Sequence, residues 1–214
     1  MADTTNRGFL VLADISGYTA FVTATELEHG PAIVAALLEA VIARISPPLD
    51  VLQIEGDAVF ALGVDGTVMP PATLLDVLRS GFAAFRARQL ELEADDSCLC
   101  RSCRGVSELR LKIIGHHGAF LEQSIGGHTQ AVGPDVILAH RLLKNGVPRN
   151  DHYALFTRPA LDSMGVDPTG AGLAERTEHY EHFGDVPCFV MGGLPSESPG
   201  VETLGTHDAR AALD

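Results

Sequence analysis

The sequence predicts an α+β domain, a mixed sheet with helices packed on one side of it. Strand-length apolar runs alternate with amphipathic helical stretches, but without the regular βα period of a doubly wound sheet. Hairpin signals are interspersed, the clearest at Glu55-Gly56-Asp57. The chain has 214 residues, 46% of them hydrophobic, enough for one core of ordinary size and thin for two.

The elements follow in order. "GFLVLAD" is short, apolar and rich in strand formers, and Gly17 ends it. From Tyr18 a helix runs to a break at Gly30-Pro31, and a second helix closes at Pro47-Pro48. Ile33, Leu37, Leu38 and Val41 give that second helix an apolar face. "LDVLQIEGDAVFALGV" is a hairpin turned at Gly56. "PPATLLDVLRSGFAAFRARQLELEADD" opens on prolines suited to a helix start and continues as a long helix. "SCLCRSCRG" is a cysteine-dense irregular loop, within a Cys-rich insertion over 95–106. In "ELRLKIIGHHGAFLEQSI", Leu109, Leu111 and Ile113 alternate with Arg110 and Lys112, as in a strand. "GPDVILAHRLLKNG" is a helix between glycines, with Asp135 in its first turn and Lys144 in its last. "DHYALFT", "AERTEHYEHF" and "VPCFVMGGL" are late strands. The expected domain is 8–194, followed by a flexible tail over 195–214 rich in proline, glycine and charge.

Fifteen basic against twenty-eight acidic residues give a formal charge of −13. Such a surface repels phosphate backbones and anionic lipid, so nucleic acid and membrane are not expected partners. A small anionic ligand would need a local cation. The N-terminal residues lack a basic leader followed by a sustained apolar segment, and no apolar run approaches membrane-spanning length. The expected location is the cytoplasm, with the four cysteines reduced.

Asp14 closes the first strand and Asp57 sits in the hairpin turn. If those strands pair, the two carboxylates converge on one sheet edge and repel unless a hard cation lies between them. The residues that follow, Ser16, Gly17, Tyr18 and Thr19, lead into a helix whose first amides lack partners, a seat for phosphate oxygens. Each acid also has a simpler reading, Asp14 as a helix cap and Asp57 as a turn residue.

These stretches resemble the catalytic domain of class III adenylate/guanylate cyclases. "FLVLADISGYTAF" is similar to the opening motif, "IEGDAVFA" to the second, "LRLKIIGHHGAF" to the central strand and "GPDVILAHRLLKN" to the nucleotide-proximal helix. They occur in the family's order. With "TELEH" and the cysteine triplet, they look closest to a poorly characterised bacterial branch. The resemblance implies a ferredoxin-like α+β core of the nucleotidyl cyclase type, pairing head to tail with a second copy or another cyclase-like domain. It implies a two-metal site for Mg²⁺ or Mn²⁺ and a nucleoside triphosphate as ligand.

Carried over residue by residue, Asp14 and Asp57 fall on the metal acids, with the Ile15 carbonyl as a further ligand. Arg141 falls on the transition-state arginine, and Lys144, one turn on, is a substitute cation or a solvated helix-end lysine. Gln53 stands where the family has a purine-reading lysine, Gln130 near the second purine contact, and Ile137 in place of an asparagine. The late basic position falls at Glu181 or His182. Ile137 cannot donate a hydrogen bond, and one missing donor can slow such a reaction about a hundredfold.

Cys98, Cys100 and Cys103 are either ligands of a structural Zn²⁺, completed by Cys188, His116 or His117, or three plain thiols. His116 and His117 should face opposite sides of the sheet, one exposed and one interior, and His140 should point away from the site. The reading that results is a regulatory or signalling cyclase-homology domain that binds metal and nucleotide but has lost purine cyclisation as a homodimer. The alternatives are a divergent or heterodimeric nucleotidyl cyclase and a zinc-stabilised dimeric interaction protein.

Overall fold

The computed structural model describes residues 5–24, 29–66, 73–95, 97, 98, 100–149 and 151–192. The tail expected over 195–214, and the last two residues of the expected domain, lie outside this set, as do four residues of "TELEH".

The strands are β1 (Thr5–Ser16), β2 (Asp50–Glu55), β3 (Ala58–Val64), β4 (Arg110–Ile125), β5 (His128–Val132), β6 (Tyr153–Thr157), β7 (Ala174–Tyr180) and β8 (Gly184–Gly192). The helices are α1 (Tyr18–Ala24), α2 (Gly30–Ile45), α3 (Leu74–Glu93), α4 (Arg101–Gly105), α5 (Pro134–Leu142) and α6 (Arg158–Met164). The sheet runs β2-β3-β1-β4-β6-β8-β7, with β5 pairing β4 beyond the main path. Only β4 and β6 pair in parallel, so the sheet is mixed, as expected.

Helices cover both faces of the sheet, not one. The reason lies in β1: Phe9, Val11, Ala13 and Ile15 enter one apolar cluster, while Leu10 and Leu12 enter another. A strand buried on both sides needs a layer over each and reads as a continuous apolar run. The first cluster is roofed by α1, α2, α3 and α6 through residues such as Phe21, Leu37, Phe85 and Leu161. The second is roofed by α5 through Val136, Ala139 and Leu142, with Phe120 and Ala131 added from the β4–β5 hairpin.

Three elements go beyond the sequence reading. The cysteine stretch is not wholly irregular: α4 forms there, capped by Cys100, whose sulfur accepts from the Cys103 N–H. β5 returns from β4 through Gly126 and Gly127, both at positive φ. α6 opens with Pro159 in its first turn and stops at Gly165, which takes the left-handed conformation. Fully buried Gln89 on α3 donates to the carbonyls of Val106 (2.7 Å) and Leu109 (2.9 Å), tying that helix to the turn before β4.

Candidate functional site

Asp14 lies opposite Ala58 of β3 and Lys112 of β4. Asp57 precedes Ala58, and its carbonyl accepts from the Ile15 N–H at 3.1 Å, so the β2–β3 turn is held against the end of β1. Residue parity puts Asp14 on the face of Leu10 and Leu12, the α5 face. Lys112 shares that face with Ile114. Its Nζ lies 2.7 Å from Asp14 Oδ2 and donates to the Leu143 carbonyl at 3.0 Å. The pair is nearly enclosed, with 8% of the lysine and 18% of the aspartate side chain exposed.

The Asp57 carboxyl is raised above its ordinary value, first by burial and then by the Asp14 charge; a hydrogen bond to its own backbone and the Lys112 charge act in the opposite direction. Ser16, two residues beyond Asp14 on the same strand, has a buried Oγ with no hydrogen-bond partner among the described residues. Asp14, Asp57 and Ser16 offer oxygen donors, the kind that suits Mg²⁺ or Mn²⁺. One oxygen of Asp14 is committed to Lys112, which leaves its other oxygen and the Asp57 carboxylate for a cation. Gly17 follows at positive φ, and Tyr18 and Thr19 begin α1, a helix of only seven residues.

Ile137, Arg141 and Lys144 line one open groove on α5 and the turn after it, with Val136 and His140. Ile137 is 52% exposed, an apolar side chain where a donor would be needed. Gln53 is exposed on β2, and its amide N–H donates to Glu55. Gln53 and Glu55 line a small cavity with Ala58, Phe60, His140 and Leu143. His140 therefore does not point away from this face. It packs edge-on against Phe60, with ring centroids 5.1 Å apart, and joins the Gln53 cavity to the Arg141 groove. Burial lowers its pKa, with Glu55 opposing, which favours the neutral ring. Gln130 lies on β5 opposite Gln123, and Glu181 and His182 are exposed in the β7–β8 turn.

Both central-strand histidines are buried, against the expectation that one is exposed. His116 meets Thr157 Oγ1 at 2.8 Å and Asp135 Oδ1 at 3.3 Å; the other Asp135 oxygen accepts from the Ala119 N–H at 2.7 Å. A Cβ on Gly118 would come within 2.3 Å of the Asp135 carboxyl carbon, so the glycine is what admits this acid. His117, on the opposite face, contacts Asp65 at 3.1 Å and packs against Phe9. These two rings are engaged in the sheet and its flanks, and Cys188 is buried in the α5-side core. None of the three joins the thiol loop.

His29 does. Its Nδ1 and the sulfurs of Cys98, Cys100 and Cys103 all lie within 4.8 Å of one another. Nothing in the sequence paired His29 with cysteines some seventy positions away; the lone signal was a histidine at the helix break before Gly30.

The chain matches the family described as "Protein of unknown function (DUF2652)" over residues 34–153. It is 33% identical over 166 residues to "Uncharacterized protein Rv2561/Rv2562" of Mycobacterium tuberculosis (strain ATCC 25618 / H37Rv), a match covering 77% of this chain and 76% of that protein. The adenylyl cyclase CyaB from P. aeruginosa superposes with a TM-score of 0.68 at 12% identity, over 91% of this chain and 98% of that one. The guanylyl cyclase Cya2 superposes with a TM-score of 0.67 at 14% identity, over 93% and 98%. At such identities the likeness establishes the fold, which is that of the class III nucleotidyl cyclase domain. Among the described residues, no helix is long and apolar enough to cross a membrane. By its sequence match, the chain belongs to the DUF2652 family, and this chain has the cyclase-type fold, with acids at the end of β1 and in the β2–β3 turn.

Proposed function

We propose that this chain is a cyclase-homology module that binds a divalent cation together with a nucleoside triphosphate and acts in regulation or signalling, not as a homodimeric purine cyclase. The observation that carries this reading is the pairing of Asp57 with Asp14, in which burial and like charge raise the Asp57 carboxyl. A divalent cation relieves that repulsion, and Mg²⁺ or Mn²⁺ suits its oxygens, whereas the thiol cluster suits zinc. Such a cation, when bound, neutralises phosphate oxygens and acidifies a hydroxyl.

The chain's own residues have distinct tasks in this reading. Asp14 and Asp57, with the Ile15 carbonyl, hold the cation, and Lys112 anchors Asp14 from behind. Arg141 and Lys144 supply positive charge to the triphosphate from the α5 groove, across a dimer interface if two domains pair. Gln53 gives one amide N–H to Glu55 and keeps a second N–H and its carbonyl, but it carries no charge, a poor match to the family's purine-reading cation. Ile137 offers no donor to charge that develops in a transition state.

The second reading, a divergent or heterodimeric cyclase, is favoured by Arg141 and Lys144 sharing one groove. Titration calorimetry with each nucleoside triphosphate, with Mg²⁺ and with Mn²⁺, tests the proposal against wild type and Asp57→Ala. The expected outcome is metal-dependent binding that Asp57→Ala abolishes, with no cyclic purine nucleotide formed on prolonged incubation. Cyclic product that disappears in Asp14→Ala would establish the enzyme instead. A folded protein that binds no nucleotide under any of these conditions would leave the interaction module.

A further inference from the structure

The thiol loop and His29 form a second site, remote in composition from the acid pair and independent of the function proposed for it. Cys100 Sγ lies 3.4 Å and Cys103 Sγ 3.6 Å from His29 Nδ1, and the two sulfurs are 3.5 Å apart. Zinc bonds of about 2.3 Å to sulfur and about 2.0 Å to nitrogen place tetrahedral ligand atoms roughly 3.5–3.8 Å apart. The separations of 3.4, 3.5 and 3.6 Å lie close to that spacing, and Cys98 completes a quartet with no pair beyond 4.8 Å. So compact a set has room for one ion and not for a polynuclear cluster.

The donor set is three sulfurs and one imidazole nitrogen, a soft-to-borderline combination that favours zinc over the hard cations suited to Asp14 and Asp57. The backbone supports it. Cys100 and Cys103 are spaced by two residues around the start of α4, and the Cys103 N–H points at Cys100 Sγ at 3.5 Å. N–H donation of this kind orients a thiolate for a metal. All four cysteines are free, so these three sulfurs are not otherwise bonded. The ligands also join distant parts of the chain. His29 precedes α2, whereas the cysteines lie between α3 and β4.

We infer that His29, Cys98, Cys100 and Cys103 bind one structural Zn²⁺ that clamps the start of α2 to the segment joining α3 and β4. The clamp closes a loop of about seventy residues that contains both α2 and α3, the larger part of one helical layer. Because the unfolded chain does not hold the site together, the free energy of binding the ion adds to the stability of the folded domain.

The test is metal analysis of protein purified without chelator, by plasma mass spectrometry, on wild type, Cys103→Ser, Cys188→Ser and Asp57→Ala. The inference expects stoichiometric zinc in wild type, Cys188→Ser and Asp57→Ala, and its loss in Cys103→Ser. Should Cys103→Ser be recovered only unfolded, Co²⁺ titrated into chelator-treated wild type gives an independent reading. A thiolate-to-cobalt charge-transfer band with the intense visible bands of tetrahedral cobalt, both displaced by Zn²⁺, would support the site. Zinc-free wild type whose apo form also gives no tetrahedral cobalt spectrum would overturn it, as would zinc retained in folded Cys103→Ser. Nucleotide binding is not read in any arm, so failure here leaves the acid-pair proposal standing.

Discussion

Replacing Lys112 by methionine separates the structural from the ligand-binding duties of the acid pair. Lys112 is the cation within hydrogen-bond distance of Asp14, at 2.7 Å, and its charge also eases Asp57. Methionine keeps most of the side-chain volume and leaves two carboxylates facing each other without a counterion. Removing one partner of a buried ion pair costs about 3–5 kcal/mol. Asp14 retains some contact with water, which moves the expectation to the low end, and the lost bond to the Leu143 carbonyl adds about 1 kcal/mol. A total near 3–4 kcal/mol corresponds to a drop of roughly 6–16 °C in Tm for a domain of this size. Asp14→Asn should cost less, because Lys112 keeps Asp57 nearby. The double variant should recover part of the Lys112→Met loss, giving a coupling of about 1–3 kcal/mol in urea-melt cycles. Millimolar Mn²⁺ should raise the Tm of Lys112→Met more than that of wild type, since the cation replaces the missing ammonium. Additive single and double variants, or a Lys112→Met protein as stable as wild type and indifferent to Mn²⁺, would refute the reasoning.

Two further outcomes follow from groups around this frame. Asp57 has a raised folded pKa, so its contribution to stability is complete below the unfolded carboxylate value of about 4 and is lost as pH rises through the folded value. Asp57→Asn should therefore be more stable than metal-free wild type at pH 7, with the difference vanishing by about pH 4; thermal melts in chelator across that range measure it. Gln89→Leu removes two buried hydrogen bonds, although the Val106 carbonyl keeps the Leu109 N–H and the Leu109 carbonyl keeps Arg110, so the expected loss is about 1–3 kcal/mol by urea denaturation, whereas an exposed α3 position such as Glu91 should tolerate exchange within about 0.5 kcal/mol.

What the sequence made visible was local. Asp14 stood out because an acid ends an apolar run, and Asp57 because it sits in a glycine turn; both signals lie within a few residues. Lys112 was hidden because its partner depends on the β1–β4 register, a long-range pairing, and because it alternates with apolar residues as a solvent-facing lysine would. His29 was hidden for the same reason at greater distance: the fold, not the spacing, brings it to the cysteines. The two-sided burial of the sheet was readable in principle, since "GFLVLA" has no polar alternation, the mark of a strand covered on both faces. The short α6 carried its own brackets, Pro159 and Gly165, but seven residues give too little periodicity to separate helix from loop. His140 followed from neither kind of signal, since its direction depends on how α5 seats against Phe60.

Lys112 changes which acid is informative. Asp14 has a sufficient structural reason to exist, because a buried lysine needs a carboxylate and finds one at 2.7 Å. A chain that had abandoned metal and nucleotide altogether would still keep that pair, as removing either member strands the other. Asp57 has no comparable reason. Its carboxyl is half-buried beside a like charge, the ammonium it feels is already bonded to Asp14, and asparagine would serve the turn at least as well. Burial and the Asp14 charge disfavour its ionised form, so the metal-free chain should gain from losing that charge, and a bound cation would reverse the sign. The weight of the functional reading therefore rests on Asp57 more than on Asp14. The deciding comparison is the stability of Asp57→Asn with and without divalent cation: a variant superior in chelator and inferior in Mn²⁺ has lost a ligand.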